Sequence, residues 1–405
     1  MIFLIWNIFL QVGRFYNMKK ICVFTGGRAE YGLLKPLLRH LQKSEKIKLQ
    51  ILVSGMHLCQ EFGMTIKEIT EDGFEISDTV EMVLSSDTPV SICKSIGLGL
   101  ISYADSLKKL TPDMVITLGD RYENFSFCAT AWTMRIPIAH IQGGEVTSGA
   151  LDDQYRHCIT KFARYHFTST ENYRKRVIQL GEDPDYVFNV GALNVESLND
   201  INPISKTELE EIIGIPLNKN TILVTFHPAT LDCTPSEILF QKLLNVISNE
   251  FKDLNIIFTK TLADTNGRII NHMIDDYVSR NIKAVSFASL GHYKYISVLH
   301  YIGAVVGNSS SGIIETASIP IATVDIGLRE AGRIKPTNVL WSDVDEESIS
   351  KSIKLALSND FQNSVKTTLN PYYKRGTSKF ICQTLENIAL ENTTMKRFYD
   401  VDFNV

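Results

Sequence analysis

Between Gly119 and His157 the chain gathers side chains that move protons and grip anions: Asp120 and Arg121, then His140 and Glu145, then Asp152 and Asp153. The apolar runs 114–118 and 136–139 lead into the first two groups and read as buried parallel strands. Each run delivers charged residues and glycines to the same edge of a sheet. In open α/β sheets ligands bind at that carboxyl edge. Carboxylates beside an arginine and a histidine there predict proton-transfer chemistry on an anionic substrate.

Further strand ends carry matching chemistry. Gly26-Gly27-Arg28-Ala29-Glu30 stands between the run 21–25 and a helix. Its glycines admit a ligand to the backbone, the helix start offers free N–H groups, and Arg28 can grip phosphate with two nitrogens. A plain tight turn with an exposed arginine is the competing reading. The motif is neither GxGxxG nor a P-loop, so neither a nicotinamide cofactor nor ATP is indicated. Gly307-Asn308-Ser309-Ser310-Ser311-Gly312 repeats the arrangement later in the chain, and Glu315 could accept two sugar hydroxyls such as those of a ribose. Helix capping alone is the alternative there, although it needs fewer hydroxyls. His227, followed by Pro228, and Arg329, after Asp325-Ile326-Gly327, end two more strands at the same edge. No set of histidines has metal-ligand spacing, so no metal site is expected.

The elements that must position these groups alternate strand and helix. In the first half the strands fall at 21–25, 49–53, 114–118, 136–141, 165–168 and 186–190. Between them lie a helix with leucines at 33, 34, 37, 38 and 41, a helix over 58–71 and a long helix over 90–110. The pattern restarts at 221–226 and continues through 256–259, 284–287, 303–306 and 321–324. Repeated βα units with short connections predict two doubly wound α/β domains facing each other across a cleft. The boundary falls near 190–200, where Asn199-Asp200-Ile201-Asn202-Pro203 is polar, giving domains over 18–192 and 193–374.

Composition sets the limits. A chain of 405 residues is long for one core. The net charge of -4 offers no long-range attraction to nucleic acid or an anionic membrane. Cysteines at 22, 59, 93, 128, 158, 233 and 382 contain no CxxC pair and read as reduced thiols of a cytoplasmic protein. Residues 1–17 mimic a signal segment but have no preceding Lys or Arg and no small-x-small cleavage site. They are expected to be a non-native or disordered extension, with Met18-Lys19-Lys20 opening the first strand.

Taken together, Thr25-Gly26-Gly27-Arg28-Ala29-Glu30-Tyr31, Gly119-Asp120-Arg121-Tyr122-Glu123 and His140-Ile141-Gln142-Gly143-Gly144-Glu145 resemble the UDP-N-acetylglucosamine 2-epimerase family. Asp152-Asp153 with Arg156-His157, Thr225-Phe226-His227-Pro228, and Gly307-Asn308-Ser309-Ser310 with Glu315 extend the likeness in the same order. Arg121 after Asp120, and Gly143-Gly144-Glu145, favour the hydrolysing branch, which feeds sialic-acid- and legionaminic-acid-type sugar synthesis. The resemblance implies a glycosyltransferase-B-like fold whose last helix, around 375–395, crosses back onto the first domain. It implies that Arg28, Arg121, His227, Ser309, Ser310, Glu315 and Arg329 hold UDP. Asp120 and Asp152, with Glu145 or Asp153, would handle protons at the sugar, and His227 joins this catalytic group. No cofactor is implied, and the family habit is a homodimer or larger homo-oligomer.

Two positions depart from the family pattern. Gln142 stands where several relatives have a carboxylate and cannot act as a base; Gly32 replaces a hydroxyl found in some relatives. The sugar, N-acetylglucosamine or a 2,4-diacetamido-6-deoxy sugar, and the nucleotide, UDP or GDP, stay open. So do three other readings: a glycosyltransferase of the same fold, a non-hydrolysing 2-epimerase, and an inactive nucleotide-sugar sensor.

Overall fold

The computed structural model describes residues 18–196, 198, 201–232, 234–261, 265–390 and 395–402. The expected extension 1–17, Asn199-Asp200 of the polar stretch, Cys233 and the end of the expected last helix at 391–394 lie outside the described residues.

The first sheet holds β1 Lys19–Thr25, β2 Ile47–Ser54, β3 Asp78–Val80, β4 Met114–Leu118, β5 Ile138–Ile141, β6 Tyr165–Thr168 and β7 Val187–Asn189. Its order is β3-β2-β1-β4-β5-β6-β7, parallel throughout. The second holds β8 Thr221–Thr225, β9 Asn255–Thr259, β10 Ala284–Phe287, β11 Ala304–Gly307, β12 Ala322–Ile326 and β13 Val339–Ser342. Its order is β10-β9-β8-β11-β12-β13, again parallel. In each sheet the chain winds outward from its first strand, then returns past it and winds the other way. The β1/β4 and β8/β11 neighbours are therefore switch points, where a crevice opens beyond the carboxyl ends.

Every residue of β4, β5, β8 and β12 is buried, which is why their sequences read as apolar runs rather than as alternating ones. The helix Arg28–Lys43 covers the first sheet with Leu34, Leu37, Leu38 and Leu41, all fully buried at helical spacing. The helix expected over 58–71 is instead broken into the 3-10 turns Gly55–Leu58 and Gln60–Phe62 and a short helix, Ile66–Glu71. Gly63 and Met64 are left-handed, at φ 91° and 48°, and a right-handed helix cannot run through them. Among the described residues no helix is long and apolar enough to cross a membrane.

At the second switch point β8 and β11 approach so closely that a Cβ on Gly307 would sit 1.9 Å from the Thr225 carbonyl oxygen. The φ of Gly307 is +140°, outside the range that other residues adopt. Gly307→Ala should cost more than the ~1–3 kcal/mol of a strained backbone alone, because the strand must also move. Urea unfolding checks this; an unchanged midpoint refutes the close approach.

The halves touch in several places. Loop 145–151 of the first half meets the second: the Ser148 N–H donates to Ala331 O (3.2 Å), the Leu231 N–H to Gly149 O (3.2 Å) and the Leu151 N–H to Thr230 Oγ1 (2.9 Å). Arg268 reaches back to Glu61 with Nε and Nη2, at 2.9 and 2.7 Å, and to Ser85 O at 2.9 Å. The crossing segments lie side by side, with the Ala192 N–H on Tyr372 O (2.9 Å) and Thr377 Oγ1 on Val190 O (2.6 Å). The helix Thr377–Asn387 then packs on Arg28–Lys43, burying Ile381 and Leu385 in the first core. Lys19 Nζ donates to the carbonyls of Leu385, Glu386 and Ile388 at its end.

Candidate active site

Both switch points open into one cavity of about 330 Å³, lined by residues of both halves. Its first-half wall is built from the ends of β1, β4 and β5. Gly119 is left-handed at φ 88°, turning the chain so that Asp120 faces the cavity directly after β4. His140, wholly buried on β5, bonds the Gly119 carbonyl through Nε2 (2.8 Å) and Thr160 Oγ1 through Nδ1 (3.2 Å). Burial lowers its pKa to about 3, so it is neutral. It fixes the Gly119 turn instead of lining the cavity.

Arg156, on the helix Asp152–Phe162, is the hub of this wall and only 1% exposed. Its Nη2 meets Asp120 Oδ2 and donates to Thr147 Oγ1 at 2.9 Å. Its Nη1 donates to Asp153 Oδ1 (2.9 Å) and Glu145 O (3.0 Å). Burial works to raise the Asp120 carboxyl, but Arg156 above all, with Arg333 and Arg329, holds it below the usual range. Asp120 is thus an anion facing the cavity.

The other carboxylates differ in setting. Asp152 opens its helix and lines the cavity. Asp153 lies behind it, accepting from the Thr147 N–H at 2.6 Å as well as from Arg156. Glu145 lines the cavity, accepts from Ser169 Oγ at 2.7 Å and pairs with Arg333 of the second half. Gln142, at a left-handed φ of 62°, also lines the cavity and donates to Asn194 Oδ1 at 3.2 Å.

Near the β1 end, Arg28 and Arg121 line the same cavity. Arg121 leans on Glu123 through Nε at 3.3 Å. Glu30 accepts from the Gly26 N–H at 2.8 Å. Burial chiefly, with Glu123 adding, pushes its carboxyl up to about 8 against the pull of Gly26 and Arg121. Gly32 faces His292 of the opposite half, where a Cβ on the glycine would stand 3.5 Å from His292 Cβ.

The second-half wall comes from the carboxyl ends of β8 to β12. Asn308 clasps the backbone of His227 on both sides, accepting from its N–H at 2.7 Å and donating to its carbonyl at 2.8 Å. Ser309 and Ser310 line the cavity just before Ser311–Ile314, a helix of a single turn. So short a helix has little macrodipole, and its free N–H groups and hydroxyls are what it offers an anion. Glu315 is buried, with Oε2 unpartnered; burial raises its carboxyl while Ser311 and Asn194 oppose. Arg329 lines the cavity beside Ser309 and Ser310 and donates to Asn308 O at 3.0 Å.

The structure therefore brings Arg28, Asp120, Arg121, Glu145, Asp152, His227, Ser309, Ser310, Glu315 and Arg329 around one cavity, and sets Asp153 behind Arg156. Sequence reasoning gave no role to Arg156, Glu330 or Arg333. Nothing local in Arg329-Glu330-x-x-Arg333 distinguished the last two from solvated charges, because the partner of Arg333 lies in the other half. Among the described residues no group of three His, Cys, Asp or Glu could hold a metal ion.

If Arg329 grips a diphosphate, Arg329→Ala should weaken UDP binding by roughly 10- to 100-fold, the worth of a charge-assisted hydrogen bond. Calorimetry with UDP measures it, and unchanged affinity removes Arg329 from the nucleotide site.

A family model described as UDP-N-acetylglucosamine 2-epimerase matches residues 39–386. The chain is 37% identical to the GDP/UDP-N,N'-diacetylbacillosamine 2-epimerase (hydrolyzing) of Campylobacter jejuni, covering 95% of this chain and 100% of that one. It is equally 37% identical to the polysialic acid biosynthesis protein P7 of Escherichia coli, covering 95% and 98%. Among solved structures, the UDP-GlcNAc 2-epimerase of Neisseria meningitidis bound to UDP-GlcNAc superposes with a TM-score of 0.75 at 18% identity, covering 91% and 99%. That likeness shows the fold.

Proposed function

The chain belongs to the UDP-N-acetylglucosamine 2-epimerase family, and from that premise we propose that it is a hydrolysing 2-epimerase. It takes a UDP- or GDP-linked 2-acetamido sugar and water to the free manno-configured sugar and the nucleoside diphosphate. The observation that carries this is the pairing of two unlike walls. Asp120, Asp152 and Glu145 stand on one side of the cavity, and Ser309, Ser310 and Arg329 on the other.

The C2 hydrogen of such a sugar is not next to a carbonyl and is barely acidic. Departure of the diphosphate makes it removable, by giving C1 oxocarbenium character. Arg28, Arg121 and Arg329, with His227 and the N–H groups around Ser309 and Ser310, stabilise the leaving charge. Glu315 takes the ribose hydroxyls. A carboxylate removes the C2 proton, leaving a glycal; water then adds at C1 as C2 is protonated from the other face. That needs two proton carriers. Asp120 and Asp152 face the cavity for this, and Glu145 serves where Gln142 cannot, while Asp153 holds Arg156.

For the sugar, the names of the relatives favour a diacetamido substrate. Two hydrolysing diacetylbacillosamine 2-epimerases match nearly the whole chain, from Campylobacter jejuni and, at 32% identity, Legionella pneumophila. N-acetylglucosamine is the second reading, favoured by a Neisseria meningitidis UDP-N-acetylglucosamine 2-epimerase at 27% identity over 95% of this chain.

Incubation with UDP- and GDP-linked forms of both sugars in deuterated water tests the assignment. A free manno-configured product carrying deuterium at C2 is expected, fastest from a diacetamido substrate. A product still bound to nucleotide identifies a non-hydrolysing epimerase. Turnover only with an added acceptor identifies a glycosyltransferase, and binding without turnover a sensor.

A further inference from the structure

Arg333 lies outside every strand-end motif, yet its side chain is only 6% exposed and reaches from the second half into the first. There it meets Oε2 of Glu145, whose side chain is 4% exposed. The same guanidinium meets Glu330 through Nε, and Glu330 pairs through its other oxygen with Arg329. Arg329 in turn donates to Asn308 O at 3.0 Å, beside Ser309. Glu145, Arg333, Glu330 and Arg329 thus form one unbroken run of alternating charge across the cleft, two anions against two cations.

The backbone around Arg333 is fixed from several sides. The Ile334 N–H donates to Tyr173 Oη (3.1 Å), and Tyr372 Oη donates to Ile334 O (2.7 Å). Gly332, at φ +93°, lies so close to the first half that a Cβ there would be 2.4 Å from Val146 Cγ1. Buried ion pairs seldom repay their desolvation against an apolar packing of the same volume. Four such groups linked between the two halves therefore need a reason other than stability.

We propose that Arg333 is the positioning residue of the reaction: it holds Glu145 in place from the opposite half, so that the proton carrier is set only when the nucleotide-gripping half is seated. This rests on the reading of Glu145 as a proton carrier in a 2-epimerase. Arg333 acts through Glu145; Arg329, the next cation along the run, meets the leaving diphosphate.

The test compares Arg333→Met, Arg333→Lys, Glu145→Gln and the double variant Glu145→Gln/Arg333→Met. The substrate is the nucleotide sugar that the wild-type enzyme turns over. Arg333→Met should lower kcat by ~10²-fold, the scale of a misplaced acid–base group, with UDP affinity unchanged in calorimetry. Arg333→Lys should fall between, since an ammonium cannot serve Glu145 and Glu330 with separate nitrogens. The double variant should be no slower than Glu145→Gln, because a residue acting through Glu145 has nothing left to act on.

A loss of UDP affinity equal to the loss of kcat overturns the proposal and makes Arg333 a phosphate ligand. Multiplying losses in the double variant overturn it as well. A slow Glu145→Gln beside a normal Arg333→Met overturns the role of Arg333 alone. Full activity in Glu145→Gln, or a wild type inert towards every nucleotide sugar, overturns the underlying reading and this proposal with it. Should Arg333→Met not fold, Arg333→Lys alone and combined with Glu145→Gln gives the same comparison.

Discussion

Asp120→Asn is expected to lower kcat by at least ~10²-fold while UDP still binds. Asparagine keeps the shape of the side chain and an oxygen for Arg156 Nη2, so the turn after Gly119 and the wall behind it stay in place. What it loses is the ability to take and return a proton. The guanidiniums around Asp120 keep it ionised, which suits a group that accepts the first proton. The UDP contacts proposed above lie mainly on the other wall, so affinity measured by calorimetry should hold. Near-normal turnover would remove Asp120 from the chemistry and leave Asp152 and Glu145 as the carriers.

The second large effect is on stability. Arg156→Met should cost ~3–5 kcal/mol, the cost of leaving buried charge unpaired. Methionine fills much of the volume but abandons Asp120, Asp153, Thr147 Oγ1 and the Glu145 carbonyl together. Urea unfolding at neutral pH measures the loss; less than ~1 kcal/mol would mean that water or another cation replaces the arginine. Acid should narrow the gap between variant and wild type. The Asp120 carboxyl is lowered in the folded chain, so its contribution is present above the ordinary carboxylate range and is lost as pH falls through the folded value. The variant lacks the share of that contribution that Arg156 supplies, the largest one, and has less to lose.

Both effects fall on residues whose legibility in sequence differed. Asp120 was readable because an apolar run ending in Gly-Asp-Arg needs only the rule that parallel strands expose their carboxyl ends. The same rule located Arg28, His227 and Ser309, and the repeated βα pattern gave the two doubly wound sheets. Arg156 and Arg333 were not readable, because nothing local distinguishes a buried arginine from a solvated one. Their burial depends on carboxylates 36 and 188 residues away, in Asp120 and Glu145. The edge strands β3 and β13 escaped for another reason: they are only three and four residues long, and most of their residues are not buried, so neither reads as a buried strand. The helix expected over 58–71 had helical spacing, but the left-handed turn at Gly63 and Met64 overrode it.

The two crossing segments also define a lever. They run together at the β7 edge of the first sheet, whereas Glu61 and Ser85 follow β2 and β3 at the opposite edge. From β2 to β7 there are five strand spacings, about 24 Å at ~4.8 Å each. A rotation of roughly 10° about the crossings moves a point at that radius by about 4 Å, more than a hydrogen bond can stretch. The Ala192–Tyr372 bond, near the axis, would hardly feel such a swing. The Arg268–Glu61 pair would come apart completely, so spectroscopic labels at that far edge would report the angle of the cleft with high gain.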